Sequence, residues 1–200
     1  MKLRELTGYK DNPLYKTAQH VFRKPGDGER YSPQEHYRGN QLNTFYNYLS
    51  VHGFKRLGQG HYGAVFEKSG YPWVFKIFKE DAAYLKYVKY CKENAGNKHL
   101  PKIKGSTIKI NDDTYAIRTE KLTRIDPEVA QEIRTLAIYM GNPDMVEFNG
   151  LEEKFRDLII KYAGIYEIFL ELRKRRNHLD IHADNVMMRG NDIVLTDPVV

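Results

Sequence analysis

The last part of the chain concentrates side chains that could bind a metal ion and orient a hydroxyl group. Asp180 is followed five residues later by Asn185, and Asp197 lies a further twelve residues along the chain. Two short apolar runs, Val186–Met188 and Ile193–Leu195, flank the turn-like sequence Arg-Gly-Asn-Asp and predict a β-hairpin. Such a hairpin brings Asn185 and Asp197 together, and their oxygens suit Mg²⁺. Asp180, one loop away, is then placed to orient a hydroxyl.

This stretch resembles the catalytic loop of protein kinases. His178-Leu179-Asp180 followed by Asn185 matches H-R-D-x-x-x-x-N with Leu in place of Arg, and Thr196-Asp197-Pro198 falls where D-F-G stands. His182 stands where aminoglycoside and choline phosphotransferases carry His. The string D-x-H-x-x-N followed by T-D-P-V is similar to the early Ser/Thr protein kinases of T7-like bacteriophages.

Two other interpretations of the stretch compete with a kinase loop. His178 and His182, four residues apart, could form a zinc pair on a helix. The metalloprotease motif H-E-x-x-H, however, needs Glu after the first His, where this chain has Leu179. The remaining alternative is an ordinary polar loop before a hairpin.

A glycine-rich motif lies upstream, with Gly58, Gly60 and Gly63 in the pattern G-x-G-x-x-G. Dinucleotide-binding folds share this pattern, but there the glycines open a helix. Here the motif is followed by a strand-like run, a turn and a second strand at Trp73–Phe78, and Val65 completes the kinase pattern G-x-G-x-x-G-x-V. Glycines let backbone N–H groups lie against a triphosphate because no Cβ intervenes.

Lys76 lies in the otherwise apolar strand Val-Phe-Lys-Ile-Phe. A Lys within a buried strand usually has an anionic partner, although its ammonium group could instead reach the surface. The kinase resemblance implies that it holds the α- and β-phosphates and pairs with a carboxylate of the following helix, predicted over 81–93. Glu80, Asp81 and Glu93 are all candidates, and the sequence does not choose between them.

Strands are expected at 106–110 and 114–122, and the end of the second resembles a kinase hinge. The resemblance implies that the backbone of Glu120 and Leu122 binds the adenine edge. A helix should begin at Asp126-Pro127 and end at Gly141, and one longer helix is expected over Leu151–Arg176. The basic run Arg173–Arg176 could bind nucleic acid, but cations that stabilise a helix C-terminus are the preferred interpretation.

Composition sets the remaining limits. The chain has 200 residues, a net charge of +6 and a single cysteine, Cys91, so an intrachain disulfide is excluded and a reducing compartment is expected. It has no run of 18 apolar residues and no apolar N-terminal signal core, which predicts a protein of the cytoplasm, or of the host cytoplasm if phage-encoded.

The resemblance therefore implies an α+β, two-lobed, protein-kinase-like fold. We expect an N-terminal extension over 1–50 with a short helix at Gln41–Ser50, an antiparallel N-lobe over 51–124 and a reduced helical C-lobe over 125–200. The expected activity is transfer of phosphate from ATP, with Mg²⁺, to Ser or Thr of host proteins.

The resemblance also assigns the site. Asp180, Lys76 and His182 are the candidate catalytic side chains, and Asn185 with Asp197 would bind the metal. Three features depart from the kinase pattern: Leu179, Pro198 and the expected lack of an activation segment. The missing segment makes a binding protein on a kinase scaffold one alternative, and His182 makes a small-molecule phosphotransferase the other.

Overall fold

The computed structural model describes residues 46–200 except 48, 61–62, 80, 111–113 and 176–177. The chain divides into two compact units. The first comprises the described residues of Met1–Glu80 and Lys104–Thr119, and the second comprises those of Asp81–Ile103 and Glu120–Val200. The predicted extension over residues 1–45 lies outside the described residues. Of the short helix predicted at Gln41–Ser50, residues 46–47 and 49–50 are helical, and Tyr46 and Leu49 are buried.

A five-stranded sheet dominates the first unit. Its strands are β1 (Phe54–Gln59), β2 (Gly63–Lys68), β3 (Trp73–Lys79), β4 (Ile103–Lys109) and β5 (Thr114–Glu120), in the order β1-β2-β3-β5-β4. The first three strands are consecutive antiparallel neighbours. The strand, glycine loop, strand, turn, strand order predicted from the sequence is therefore present.

The register between β2 and β3 separates the two faces of this sheet. Ala64 pairs with Ile77, and both belong to the apolar cluster that packs against Tyr46 and Leu49. The neighbouring pair is Val65 and Lys76. Because successive side chains of a strand alternate between faces, Val65 and Lys76 lie side by side on the face opposite that cluster.

The second unit combines helices with a small sheet. The helices are α1 (Ala82–Glu93), α2 (Pro127–Gly141), α3 (Pro143–Phe148), α4 (Glu152–Lys161) and α5 (Ala163–Lys174). The strands β6 (Thr123–Arg124), β7 (Val186–Arg189) and β8 (Asp192–Leu195) form a three-stranded sheet in that order. The helix predicted to begin at Asp126-Pro127 is confirmed, since the Asp126 carboxylate accepts the Glu128 N–H at 2.8 Å. Strand β6 was not predicted.

The single long helix expected over Leu151–Arg176 is wrong. The chain leaves helical geometry at Tyr162, with φ −120° and ψ 37°, and continues as α5. The two halves are buried to different depths, because α4 buries only Leu158 whereas α5 buries Ile165, Ile168, Phe169 and Leu172. One straight helix with a continuous apolar face would be buried evenly along its length, whereas α4 is mostly exposed and α5 buries four side chains.

The described cations at the end of α5 bind within the chain. The Arg173 guanidinium donates to the carbonyl of Met140, and Lys174 Nζ lies 2.7 Å from Glu171 Oε1. The guanidinium of Arg175 lies over the Tyr90 ring, 4.8 Å from its centre. Each of the three described cations of the basic run therefore has a partner within the chain.

Cys91 lies on the buried stripe of α1 with Tyr84 and Val88. Burial raises the pKa of its thiol to about 12, so the reactive thiolate is scarce at neutral pH. Within the part of the chain that the structure describes, no helix is both long and apolar enough to cross a bilayer.

Gly63 should be sensitive to substitution, because a Cβ built there would lie 2.3 Å from the carbonyl oxygen of Ile77. We expect Gly63→Ala to lower the free energy of unfolding by about 1–3 kcal/mol, since the strands must separate to admit the methyl group. Gly60→Ala is the matched control, because no described atom lies within 4 Å of its added Cβ, and it should change stability by less than about 0.5 kcal/mol. Urea unfolding measures both; equal effects would contradict the close packing of β2 on β3.

Candidate active site

The hairpin predicted around Gly190 is confirmed. Val186 pairs with Leu195, Arg189 pairs with Asp192, and Gly190 adopts the positive φ of 58° that the tight turn requires. Beyond the last pair, the Thr196 N–H donates to the Asn185 carbonyl at 2.8 Å. Asn185 and Asp197 are therefore held at one end of the hairpin, and we call these two residues the hairpin mouth.

A second set of backbone contacts holds Asp180 at the same place. The Asp180 N–H donates to the Pro198 carbonyl at 2.9 Å, and the Val200 N–H donates to the His178 carbonyl at 3.0 Å. The segment around Leu179 thus lies antiparallel to the segment around Val199. Backbone bonds on both sides of Asp197 consequently bring Asp180, Asn185 and Asp197 together. The sequence predicted that Asn185 and Asp197 meet and that Asp180 lies one loop away.

Asn185 is suited to binding a cation through its amide oxygen. The residue is only 8% exposed, and its amide nitrogen donates to the Asp180 carbonyl at 2.9 Å. The nitrogen is therefore committed as a donor, and the oxygen remains the ligand atom. Asp197 supplies a carboxylate with one buried oxygen. An amide oxygen and a carboxylate at one mouth fit a hard divalent cation such as Mg²⁺.

The side chains of Asp180 and His182 are accessible, in contrast to Asn185. They are 51% and 47% exposed, and His182 Nε2 lies 3.8 Å from Asp180 Oδ2. A carboxylate in this position can accept a proton from a hydroxyl group that approaches from solvent. Because residues 178–182 are not helical, the alternative of a helical zinc pair is wrong.

Two tyrosines of α1, Tyr84 and Tyr87, contribute to the surroundings of Asp197, and neither was predicted as part of the site. The Tyr87 hydroxyl donates to the Leu195 carbonyl at 2.5 Å, two residues before Asp197. Burial raises the pKa of Tyr84 and of Tyr87 well above the ordinary value, and the negative charge of Asp197 adds to both shifts. The spacing of Tyr84, Tyr87 and Tyr90 on α1 could have signalled a buried aromatic stripe, but not its partner.

The glycine motif occupies the connection between β1 and β2. Gly58 pairs with Val65, and the Gly60 N–H donates to the Gly63 carbonyl at 2.8 Å. No described atom lies within 4 Å of a Cβ built on Gly58 or Gly60. Lys76 is partly buried beside Val65. Their contact with a nucleotide remains a prediction.

Two of the three carboxylates predicted as partners of Lys76 have other contacts. Asp81 caps α1 by accepting the Tyr84 N–H at 2.9 Å. Glu93 Oε1 lies 3.7 Å from Lys89 Nζ, and Glu93 Oε2 lies 4.0 Å from Arg175 Nη1. Glu80 lies outside the described residues.

The predicted adenine segment, residues 120–122, begins at Glu120, the last residue of β5. The Glu120 N–H donates to the Lys102 carbonyl at 3.1 Å, while its carboxylate contacts Arg189. Sequence reasoning assigned no role to Arg189.

The α+β architecture and the motif order define a protein-kinase-like protein. Residues 27–200 match the family model described as bacteriophage T7 protein kinase 0.7, and the chain belongs to that family. The resemblance seen in the sequence is thus confirmed.

Among solved structures, the chain is similar to the kinase domain of Mycobacterium tuberculosis PknI, solved as a variant with one cysteine replaced by alanine. The identity is 14% and the TM-score 0.38, with 72% of this chain and 58% of that chain covered. The chain therefore spans little more than half of that kinase domain. No curated protein matches the chain.

Tyr87 provides a test of how the strand before Asp197 is held. Tyr87→Phe leaves the buried Leu195 carbonyl without its hydroxyl donor, so the free energy of unfolding should fall by about 1–3 kcal/mol. Tyr90→Phe, the same change on the same helix, should cost less than about 0.5 kcal/mol. Chemical denaturation compares the two, and an effect of Tyr87→Phe no larger than that of the control would show that the hydroxyl does not support β8.

Proposed function

We propose that this protein is an ATP-dependent phosphotransferase that phosphorylates Ser or Thr side chains of proteins of the host cell, in the host cytoplasm. The observation that carries the proposal is the convergence of Asp180, Asn185 and Asp197 through backbone hydrogen bonds on both sides of Asp197. Membership in the bacteriophage T7 protein kinase 0.7 family supports the same activity.

The residues present fit ATP and a divalent cation. Asn185 and Asp197 would hold Mg²⁺, which, when bound, neutralises charge on the phosphates. The backbone around Gly58 and Gly60 and the ammonium group of Lys76 would contact phosphate oxygens. The backbone of Glu120 and Leu122 would bind the adenine edge.

Asp180 is assigned to the acceptor. Its half-exposed carboxylate would orient the hydroxyl group and accept its proton as the new bond forms between oxygen and the γ-phosphorus and the bond to the ADP oxygen breaks. His182, whose Nε2 lies 3.8 Å from Asp180 Oδ2, would help to position this carboxylate. The exposure of both side chains is compatible with an acceptor that belongs to another protein.

The first test separates transfer from binding. Asp180→Ala should lower phosphoryl transfer by about 10²-fold or more, because the acceptor loses its base, while MgATP affinity stays within about twofold. The measurement is label transferred from labelled ATP and Mg²⁺ to protein bands of a bacterial lysate, together with calorimetry of MgATP binding.

Asp157→Ala, an exposed carboxylate on α4, is the control and should retain activity. Label on Ser or Thr that depends on Asp180 supports the proposal. Tight MgATP binding by the wild-type protein without label on protein would favour a binding scaffold or a small-molecule acceptor.

The second test concerns the nucleotide. Asp197→Ala and Lys76→Ala should each weaken MgATP binding by about tenfold or more, since each removes a charged contact with the metal or the phosphates. Omission of Mg²⁺ should abolish the difference between Asp197→Ala and the wild-type protein but preserve that of Lys76→Ala. Calorimetric titration with and without Mg²⁺ provides the measurement, and full activity of either variant would contradict the assignment.

A further inference from the structure

Arg189, the last residue of β7, makes an unusually complete set of contacts. Its guanidinium engages both oxygens of the Glu120 carboxylate, with Nε 2.8 Å from Oε2 and Nη2 on Oε1. Nη1 donates to the Lys98 carbonyl at 3.0 Å, and Nη2 donates to the Leu100 carbonyl at 2.9 Å. We call this set of contacts the Arg189 clamp.

The clamp is partly shielded from water. The side chains of Arg189 and Glu120 are only 22% and 14% exposed, and Glu120 Oε1 also accepts the Lys102 N–H at 2.7 Å. The hydrogen bond to Glu120 raises the pKa of Arg189 above its ordinary value, so the guanidinium stays ionised. A bidentate guanidinium–carboxylate pair fixes orientation as well as distance, which an ammonium group cannot do.

The clamp joins two parts of the proposed nucleotide site that are far apart in sequence. Glu120 begins the predicted adenine segment, and Arg189 ends the strand that begins directly after Asn185 of the hairpin mouth. His99 reinforces the connection, because its carbonyl accepts the Leu195 N–H at 3.0 Å and its Nδ1 lies 2.8 Å from the Ile193 carbonyl.

We propose that Arg189 is a positioning residue, which holds the adenine segment in register with the hairpin mouth so that one ATP molecule engages both. This inference rests on the proposed function and adds a specific reason for the affinity of the site for a whole nucleotide. Two binding elements held at the correct separation bind a linked ligand much more tightly than either binds its own fragment. Without the clamp each element still binds its fragment, but the gain from the linkage is lost.

The experiment compares the whole ligand with its fragments. Calorimetry measures binding of MgATP, of magnesium tripolyphosphate, which lacks the base, and of adenosine, which lacks the phosphates. For Arg189→Gln we expect MgATP affinity to fall by about tenfold or more, while tripolyphosphate and adenosine affinities stay within about twofold of wild type. The KM for MgATP in the transfer assay should rise by a similar factor, with kcat changed less.

Two further variants keep the test independent of folding. Arg189→Lys keeps the positive charge but loses the planar guanidinium group. Glu120→Gln keeps the backbone of the adenine segment. Both variants should show the same selective loss of MgATP affinity, to a smaller degree. Arg156→Gln, the same change at an exposed position of α4, is the matched control and should bind all three ligands as wild type does.

The outcomes are distinct. An equal loss of affinity for MgATP and for tripolyphosphate in the folded variants would assign Arg189 a purely structural role. Unchanged MgATP affinity in Arg189→Gln would show that Arg189 has no role in binding. Either result overturns the inference and leaves the proposed function standing. Absence of MgATP binding in the wild-type protein would instead overturn the proposed function and this inference together.

Discussion

The backbone hydrogen bonds on either side of Asp197 are the constraint on which the candidate site depends. Before Asp197, the chain bonds to Asn185 through Thr196, and after it, the chain bonds to Asp180 through Pro198. Backbone groups must be paired when they are withdrawn from water, so these bonds are obligatory for the local fold. Three polar side chains are therefore brought together by main-chain pairing, without any need for the side chains to attract each other.

The parts of the site that rest on local chemistry could be predicted from the sequence. A glycine between two short apolar runs specifies the hairpin, because the tight turn needs a positive φ at Gly190. The hairpin in turn specifies which residues stand at its mouth. In the sheet of the first unit, strand alternation likewise places Val65 beside Lys76 once the register is known. These features can be predicted because the residues that determine them are close together in sequence.

The rest depends on contacts that periodicity does not report. The apolar pattern of residues 151–176 is continuous, so the break at Tyr162 becomes visible only when the different burial of α4 and α5 is known. Arg189 reads in the sequence as an ordinary turn cation, and its carboxylate partner lies 69 positions away. The spacing of the tyrosines of α1 indicates a buried face. It does not indicate that the Leu195 carbonyl accepts a hydrogen bond from the Tyr87 hydroxyl. Tertiary partners decide these features.

The distance along the chain between these partners has a consequence for folding. The bonds that attach the hairpin to α1 and to the loop after it join residues 89 to 108 positions apart. Closing such long loops costs conformational entropy that only the completed contacts offset. A chain emerging from the ribosome passes through a stage in which α1 and the carbonyls of Lys98 and Leu100 await a strand that has not yet been synthesised. The hairpin mouth thus reaches its final surroundings only after its strands have been synthesised, so a shorter nascent chain lacks an assembled site.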